Sequence, residues 1–232
     1  MKTCLIATRN AHKVGEIRSI LGGEFQFFSL DNLPGAPAVV EDATTFAGNA
    51  TKKAVALAGW LATSLREIPH DDLWVLADDS GLEVDALNGA PGVHSARFAA
   101  VDHLKDGNTP DADNNARLLR LLREVPAEKR TARFRCVIAI TPVAGERFEN
   151  ASAVCYAPSE PLTGLFDGTC EGRIDFAPRG HGGFGYDPLF VPNGFEQSFA
   201  ELGEATKNQL SHRAQALGKL KDWLANSRPF LA

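Results

Sequence analysis

The chain has 232 residues, 44% of them hydrophobic and 23% charged, with a net charge of −5. That apolar content suffices for one large core or two joined lobes. The acidic balance argues against a nucleic-acid polymer as partner, since such domains carry a basic face, yet a single nucleotide needs only a few placed cations. No apolar run reaches membrane-spanning length, and the one after Met1 is too short for a signal peptide, so a cytoplasmic location is expected. Cys4, Cys136, Cys155 and Cys170 have neither CxxC nor metal-ligand spacing and read as free buried thiols of a reducing compartment.

In chain order, residues 2–8 (KTCLIAT) read as a strand running into Arg9-Asn10 and then a helix with Val14, Ile17, Ile20 and Leu21 on one face. Asn10 is its expected N-cap and Gly22-Gly23 its stop. Thr8, Asn10 and Lys13 gather at that junction, where backbone N–H groups, the positive end of a helix dipole and a lysine together suit a phosphate. The glycines of a Walker loop are missing, and capping with a solvated lysine would also explain these residues. Residues 25–40 read as an irregular strand and a Pro-rich turn. Glu41-Asp42 precede a helix from about Phe46 to Arg66, with Phe46, Ala50, Ala54, Leu57, Leu61 and Leu65 buried and Lys52 and Lys53 near its middle. Residues 67–72 form a polar connection.

Residues 75–98 carry the strongest signal. Val75-Leu76-Ala77 read as the end of a buried strand, followed by Asp78 and Asp79 and a turn at Ser80-Gly81. Asp and Gly disfavour continuation of a strand, whereas adjacent carboxylates at a strand end suit a hard divalent cation such as Mg²⁺. A solvated Asp-Gly turn is the plain alternative. A polar loop over 102–115 leads to a helix at 116–124, a strand at 133–140, a neighbouring strand at 151–157, and strand-and-turn structure over 161–177.

Gly180, Gly182 and Gly185 satisfy the GxGxxG dinucleotide fingerprint, which requires a helix opening inside it. The following Tyr186-Asp187-Pro188-Leu189-Phe190-Val191-Pro192 refuses one. The remaining readings are a glycine loop that presents Phe184, Tyr186 and Asp187 to a ligand, or a hairpin turn with core aromatics. The C-terminal part ends in a long amphipathic helix capped by Ser211, with His212 and Arg213 in its first turn and Lys207 just upstream. Cations there oppose the dipole unless an anion or electron-rich ligand intervenes. No repeat or linker appears, so residues 1–232 read as a single α/β domain with a mixed sheet. Carboxylates (Glu41, Asp78, Asp79), cations (Lys13, Lys53, Lys207, Arg213) and an aromatic glycine loop together suggest Mg²⁺, phosphates and a base, hence a nucleotide phosphohydrolase.

The segments TRNAHK at 8–13, FAGNATKKA at 46–54, DDSGLEVDALNGAPGVHSARF at 78–98, GGFGYDPLF at 182–190 and SHRAQAL at 211–217 resemble, in order and across nearly the whole chain, the HAM1-like inosine/xanthosine triphosphate pyrophosphatase family. That resemblance implies Mg²⁺-dependent hydrolysis of ITP, dITP and XTP to monophosphate and pyrophosphate. It further implies two lobes around an elongated central mixed β-sheet flanked by helices, a nucleotide cleft between the lobes, and a homodimer. By position it assigns phosphate binding to Thr8, Arg9, Asn10, Ala11, His12 and Lys13, with Lys53 nearby. Asp79 matches the proton acceptor and metal ligand, Ser80 a substrate contact, and Phe184, Gly185, Tyr186, Asp187, Lys207, His212 and Arg213 the base and sugar contacts. The family's Glu-Glu pair and glycine before the TF dipeptide are replaced here by Glu41-Asp42-Ala43, which leaves Glu41 as the metal-ligand match. The segment 60–74 is longer than the family's. A nucleotide sensor without activity and a Maf-like phosphatase are the rival readings.

Overall fold

A computed structural model describes residues 2–64, 73–103, 107–143 and 162–226. The expected helix end at Leu65-Arg66, the 67–72 connection, the 151–157 strand and Cys155 lie outside them. The described chain divides into two compact units, one of Met1–Asp79, Val137–Asp167 and Ala216–Ala232, the other of Ser80–Cys136 and Gly168–Gln215. Eleven regular elements are described: β1 (Thr3–Ile6), α1 (Ala11–Leu21), β2 (Gln26–Ser29), α2 (Phe46–Ser64), β3 (Leu73–Val84), α3 (Asp111–Leu121), β4 (Thr131–Pro142), β5 (Gly164–Ile174), β6 (Phe190–Pro192), α4 (Phe199–Leu210) and α5 (His212–Asn226). The strands form one sheet in the order β2-β1-β3-β4-β5-β6. It is mixed: β1 runs parallel to β2 and β3, while β5 and β6 pair antiparallel.

In the first unit, β1 buries Cys4, Leu5 and Ile6, and β3 buries Leu73 through Ala77. Such unbroken apolar runs suit strands covered on both faces. α1 contributes Ile17 and Leu21, and α2 contributes Ala50, Ala54, Leu57 and Leu61, the helical spacing its sequence shows. Asn10 caps α1 by accepting from the Lys13 N–H, and Gly22 closes it at φ +56°.

In the second unit, Leu82, Val84, Phe98, Leu118, Leu122, Phe134, Leu189, Phe190 and Phe199 share one core. Among the described residues Cys4, Cys136 and Cys170 are free and buried, and burial pushes the Cys170 thiol up to about 12. No described helix is long and apolar enough to cross a membrane.

Two boundaries differ from expectation, and the expected cap of the last helix at Ser211 is found. β3 does not stop at Ser80-Gly81 but continues to Val84, because neighbouring cations and an amide meet the charge of Asp78 and Asp79. The reversal comes at Asn88 and Gly89, both with positive φ. α3 begins at Asp111 rather than 116. Pro110 precedes it, Asp111 and Asp113 suit the positive end of its dipole, and the buried Asn114 and Asn115 are bonded. Ser211, at φ −67° and ψ 160°, separates α4 from α5, and its Oγ accepts from the Ala214 N–H.

Arg130 is 2% exposed. Its guanidinium donates to the carbonyls of Val125, Leu122 and Asp175 and lies 3.8 Å from the Phe176 ring centre. It thereby ties the chain after α3 to the end of β5. Arg130→Met would take a donor from three carbonyls, of which only that of Leu122 keeps another, the Val125 N–H, among the described residues. Urea unfolding should show a loss of about 2–4 kcal/mol, within the range for stranding buried polar groups.

Candidate active site

Successive side chains on a strand project to opposite faces, so Asp78 and Asp79 of β3 meet different partners. The Asp78 carboxylate pairs with the Lys13 ammonium. Asp79 accepts from Lys53 Nζ at 3.3 Å and from Asn49 Nδ2 at 3.1 Å. Lys53 Nζ also donates to Glu41 Oε2 at 3.1 Å and to the Asp78 carbonyl at 2.7 Å. One buried ammonium therefore ties two carboxylates to the strand backbone. Its neighbour Lys52 pairs with the exposed Asp42.

Burial opposes the charge on Lys53, but Asp79, Glu41 and Asp78 outweigh it and raise the ammonium pKa. For Asp79 burial is the largest influence and lifts its pKa, in the same direction as Glu41. Lys53, Lys13 and the Asn49 amide pull the other way without cancelling the rise.

Beside this cluster in sequence, Thr8 Oγ1 accepts from the Asn10 N–H and Asn10 Oδ1 from the Lys13 N–H, each at 3.1 Å. Arg9, Asn10, Ala11 and His12 are exposed. The loop thus presents a helix N-terminus, whose first N–H groups and dipole favour an anion.

Glu41 and Asp79 already converge on one cation, the Lys53 ammonium. Among the described residues no three His, Cys, Asp or Glu side chains gather at one point. Mg²⁺ commonly takes one or two carboxylates and completes its shell with water and phosphate oxygens, so this oxygen donor pair fits it.

The second unit holds a separate cluster. Asp187 Oδ2 accepts from the Phe184 N–H at 2.9 Å and from Lys207 Nζ at 2.5 Å, with both members of the ion pair buried. The Lys207 ammonium stands 4.4 Å from the Phe184 ring centre and the Arg213 guanidinium carbon 5.8 Å from it. Cations at such distances are drawn to the ring face. Arg213 Nη2 donates to Ser80 Oγ at 2.9 Å. His212 stacks on Phe134, centres 4.8 Å apart and planes 12° from parallel. Tyr186 is buried, its hydroxyl donating to the Ser95 carbonyl at 2.9 Å, while Gly185 is bonded to α3 through both backbone groups.

Two glycines of this loop, Gly183 and Gly180, serve close approach. Gly183 has φ +74°, and a Cβ there would lie 2.2 Å from Asp187 Oδ2; one on Gly180 would lie 2.7 Å from the Ala200 backbone. No helix opens within the loop, so the dinucleotide reading is excluded.

Of the residues singled out in the sequence, the first unit brings together Lys13, Glu41, Lys53, Asp78 and Asp79. The second brings together Ser80, Phe184, Asp187, Lys207 and Arg213. Asn49 was overlooked, although it stands one helical turn before Lys53 on the same buried face of α2. Asp111 and Asn115 were overlooked because their polar stretch reads as loop.

The profile of the Ham1 family matches residues 4–223. A protein of Desulforamulus reducens named dITP/XTP pyrophosphatase is 46% identical over 221 residues, 95% of this chain and 94% of that one. One of the same name from Opitutus terrae is 40% identical over 228 residues, 94% of this chain and 96% of that one. Among solved structures, the Staphylococcus aureus Ham1 protein superposes with a TM-score of 0.75 at 32% identity, covering 97% of this chain and all of that one. A HAM1 protein from Coxiella burnetii gives 0.74 at 35% identity, with 97% and 100% coverage.

Gly183 and Gly194 separate the two costs of a side chain at positive φ. Gly194, at φ +85°, has open space where a Cβ would stand, whereas Gly183 faces the Asp187 carboxylate. Gly194→Ala should cost about 1 kcal/mol of backbone strain. Gly183→Ala should cost about 2–4 kcal/mol, because overpacking adds to the strain. Paired thermal unfolding curves measure the difference.

Proposed function

We infer the function from one premise: this chain belongs to the Ham1 family. It hydrolyses deaminated purine nucleoside triphosphates of the dITP and XTP class to the monophosphate and pyrophosphate, with residues 1–232 acting as one catalytic domain. The observation that carries the assignment of roles is the Lys53 ammonium shared by the Glu41 and Asp79 carboxylates. It supports a reading in which Asp79 is a buried base beside cations that meet the phosphates.

In this reading the loop Thr8–Lys13 and Lys53 take the phosphates. Glu41 and Asp79 would hold Mg²⁺, which when bound spreads charge on the leaving pyrophosphate. Asp79 Oδ1 or Oδ2 receives the proton of the attacking water. Asn49 and Lys53 fix the orientation of that carboxylate.

Phe184 offers a ring for stacking the base, a contact worth about 1–3 kcal/mol. Ser80 contacts the substrate, and Gly185, Tyr186, Asp187, Lys207 and His212 shape the base and sugar region. Arg213 carries only donors. It meets a 6-oxo group as an acceptor and would face a donor in the amino group of adenine. An unpaired buried donor costs about 1–3 kcal/mol, which suffices for discrimination. In the cell we expect a cytoplasmic homodimer, whose mass light scattering would read.

Turnover of dITP, XTP and ATP with Mg²⁺ and then with EDTA tests the reaction. Pyrophosphate from dITP and XTP, abolished by EDTA and restored by Mg²⁺, is the expected result. Orthophosphate would indicate a phosphatase, and binding without turnover a sensor. Asp79→Asn should lower kcat by about 10²–10⁴-fold, the typical worth of a general base, and a rate near wild type would remove Asp79 from that role. Arg213→Lys keeps the charge but loses the planar fork of donors. It should narrow the preference for dITP over dATP, read as a ratio of kcat/KM values.

A further inference from the structure

Both backbone polar groups of Gly185 are held by side chains from one face of α3. The Gly185 N–H donates to Asp111 Oδ2 at 2.6 Å, and its carbonyl accepts from Asn115 Nδ2 at 3.0 Å. Asp111 and Asn115 stand four residues apart, the spacing that stacks side chains on a helix. Gly185 has φ +63° with open space where a Cβ would be, so the glycine meets a backbone requirement and not a steric one. On either side of it are Phe184, whose ring faces Lys207 and Arg213, and Tyr186-Asp187, anchored to Ser95 and Lys207.

The orientation of the Asn115 amide follows from this contact. A carbonyl can only accept, so Nδ2 must face Gly185. Oδ1 is then left buried, with no hydrogen-bond partner among the described residues, and Asn115 is 91% buried. A stranded buried acceptor costs about 1–3 kcal/mol, whereas an apolar side chain of the same shape would avoid that cost. Such a side chain would in turn leave the Gly185 carbonyl without its donor, so the two costs roughly offset and net stability does not favour asparagine. Holding the Gly185 carbonyl does.

We propose that Asp111 and Asn115 are positioning residues for base recognition: by gripping Gly185 they set where the Phe184 ring and the Asp187 carboxylate stand. The proposal rests on the pyrophosphatase reading above and deepens it. Neither residue touches the substrate. Their effect reaches it through the loop, so it falls on binding of the purine and leaves proton transfer at Asp79 unaltered.

The test is steady-state pyrophosphate release from dITP by the full chain, with thermal unfolding measured on the same preparations. Asn115→Leu removes the grip together with the stranded acceptor. It should leave Tm nearly unchanged, because the donor lost to the Gly185 carbonyl offsets the acceptor removed, hold kcat within about twofold, and raise KM for dITP by roughly ten- to a hundredfold, as displacement of a positioning group does. Asp111→Ala should raise KM similarly, while Asp111→Asn, which retains an acceptor for the Gly185 N–H, should restore most of it. Should Asn115→Leu not fold, the Asp111 pair reads the same contact.

Unchanged KM in Asn115→Leu and Asp111→Ala overturns the proposal, as does a KM rise in step with lost Tm and no rescue by Asp111→Asn. A wild-type chain that does not hydrolyse dITP overturns the pyrophosphatase reading instead, and this inference with it.

Discussion

A single buried ammonium organises the acidic cluster. Lys53 joins Glu41, Asp79 and the Asp78 carbonyl, so it fixes α2 to β3 and to the chain that enters α2. Without a cation at that point, two carboxylates would face each other in a partly dry environment, and one would have to take up a proton. Removing one partner of a buried ion pair typically costs about 3–5 kcal/mol because the other charge is left uncompensated. The same contacts hold the proposed base, Asp79, in place within β3. Stability of the strand and the proposed chemistry draw on one contact.

Asp187 has the corresponding place in the other unit. One of its oxygens receives both the Phe184 N–H and the Lys207 ammonium, which closes the glycine loop upon itself. The loop needs Gly183 because any side chain there would displace that oxygen. Lys207 is then placed against the Phe184 ring, and Arg213 is brought near it by the break at Ser211. Cations at the start of α5, unfavourable on dipole grounds alone, are accommodated by an aromatic face and a serine hydroxyl.

These arrangements suit a hydrolase of nucleoside triphosphates because the requirements of its two ends differ. Phosphates need positive charge and a helix N-terminus, whereas a purine needs a flat ring and donors fixed in direction. In the proposed reading Lys13, Lys53 and the N-terminus of α1 answer the first need, and Phe184 with Arg213 the second. Discrimination by base then depends on rigidity, since a donor that can swing away from the wrong partner rejects nothing.

The sequence by itself determined the alternation of strands and helices, the cap at Asn10, the buried face of α2 and the failure of the GxGxxG fingerprint. Each of these is a local matter of apolar period, side-chain capping or proline chemistry. It also marked Glu41, Lys53, Asp79 and Arg213, whose charges are costly in a core unless bonded, and Phe184, an aromatic set within a glycine loop. Only the tertiary structure decided that β3 runs on through Asp78 and Asp79, because the partners that make this tolerable, Lys13, Asn49 and Lys53, come from distant parts of the chain. The same holds for the start of α3, where Asp111 and Asn115 read as loop until Gly185, far along the sequence, supplies their hydrogen bonds. Propensity and period are properties of neighbours in sequence, whereas satisfaction of buried polar groups depends on neighbours in space.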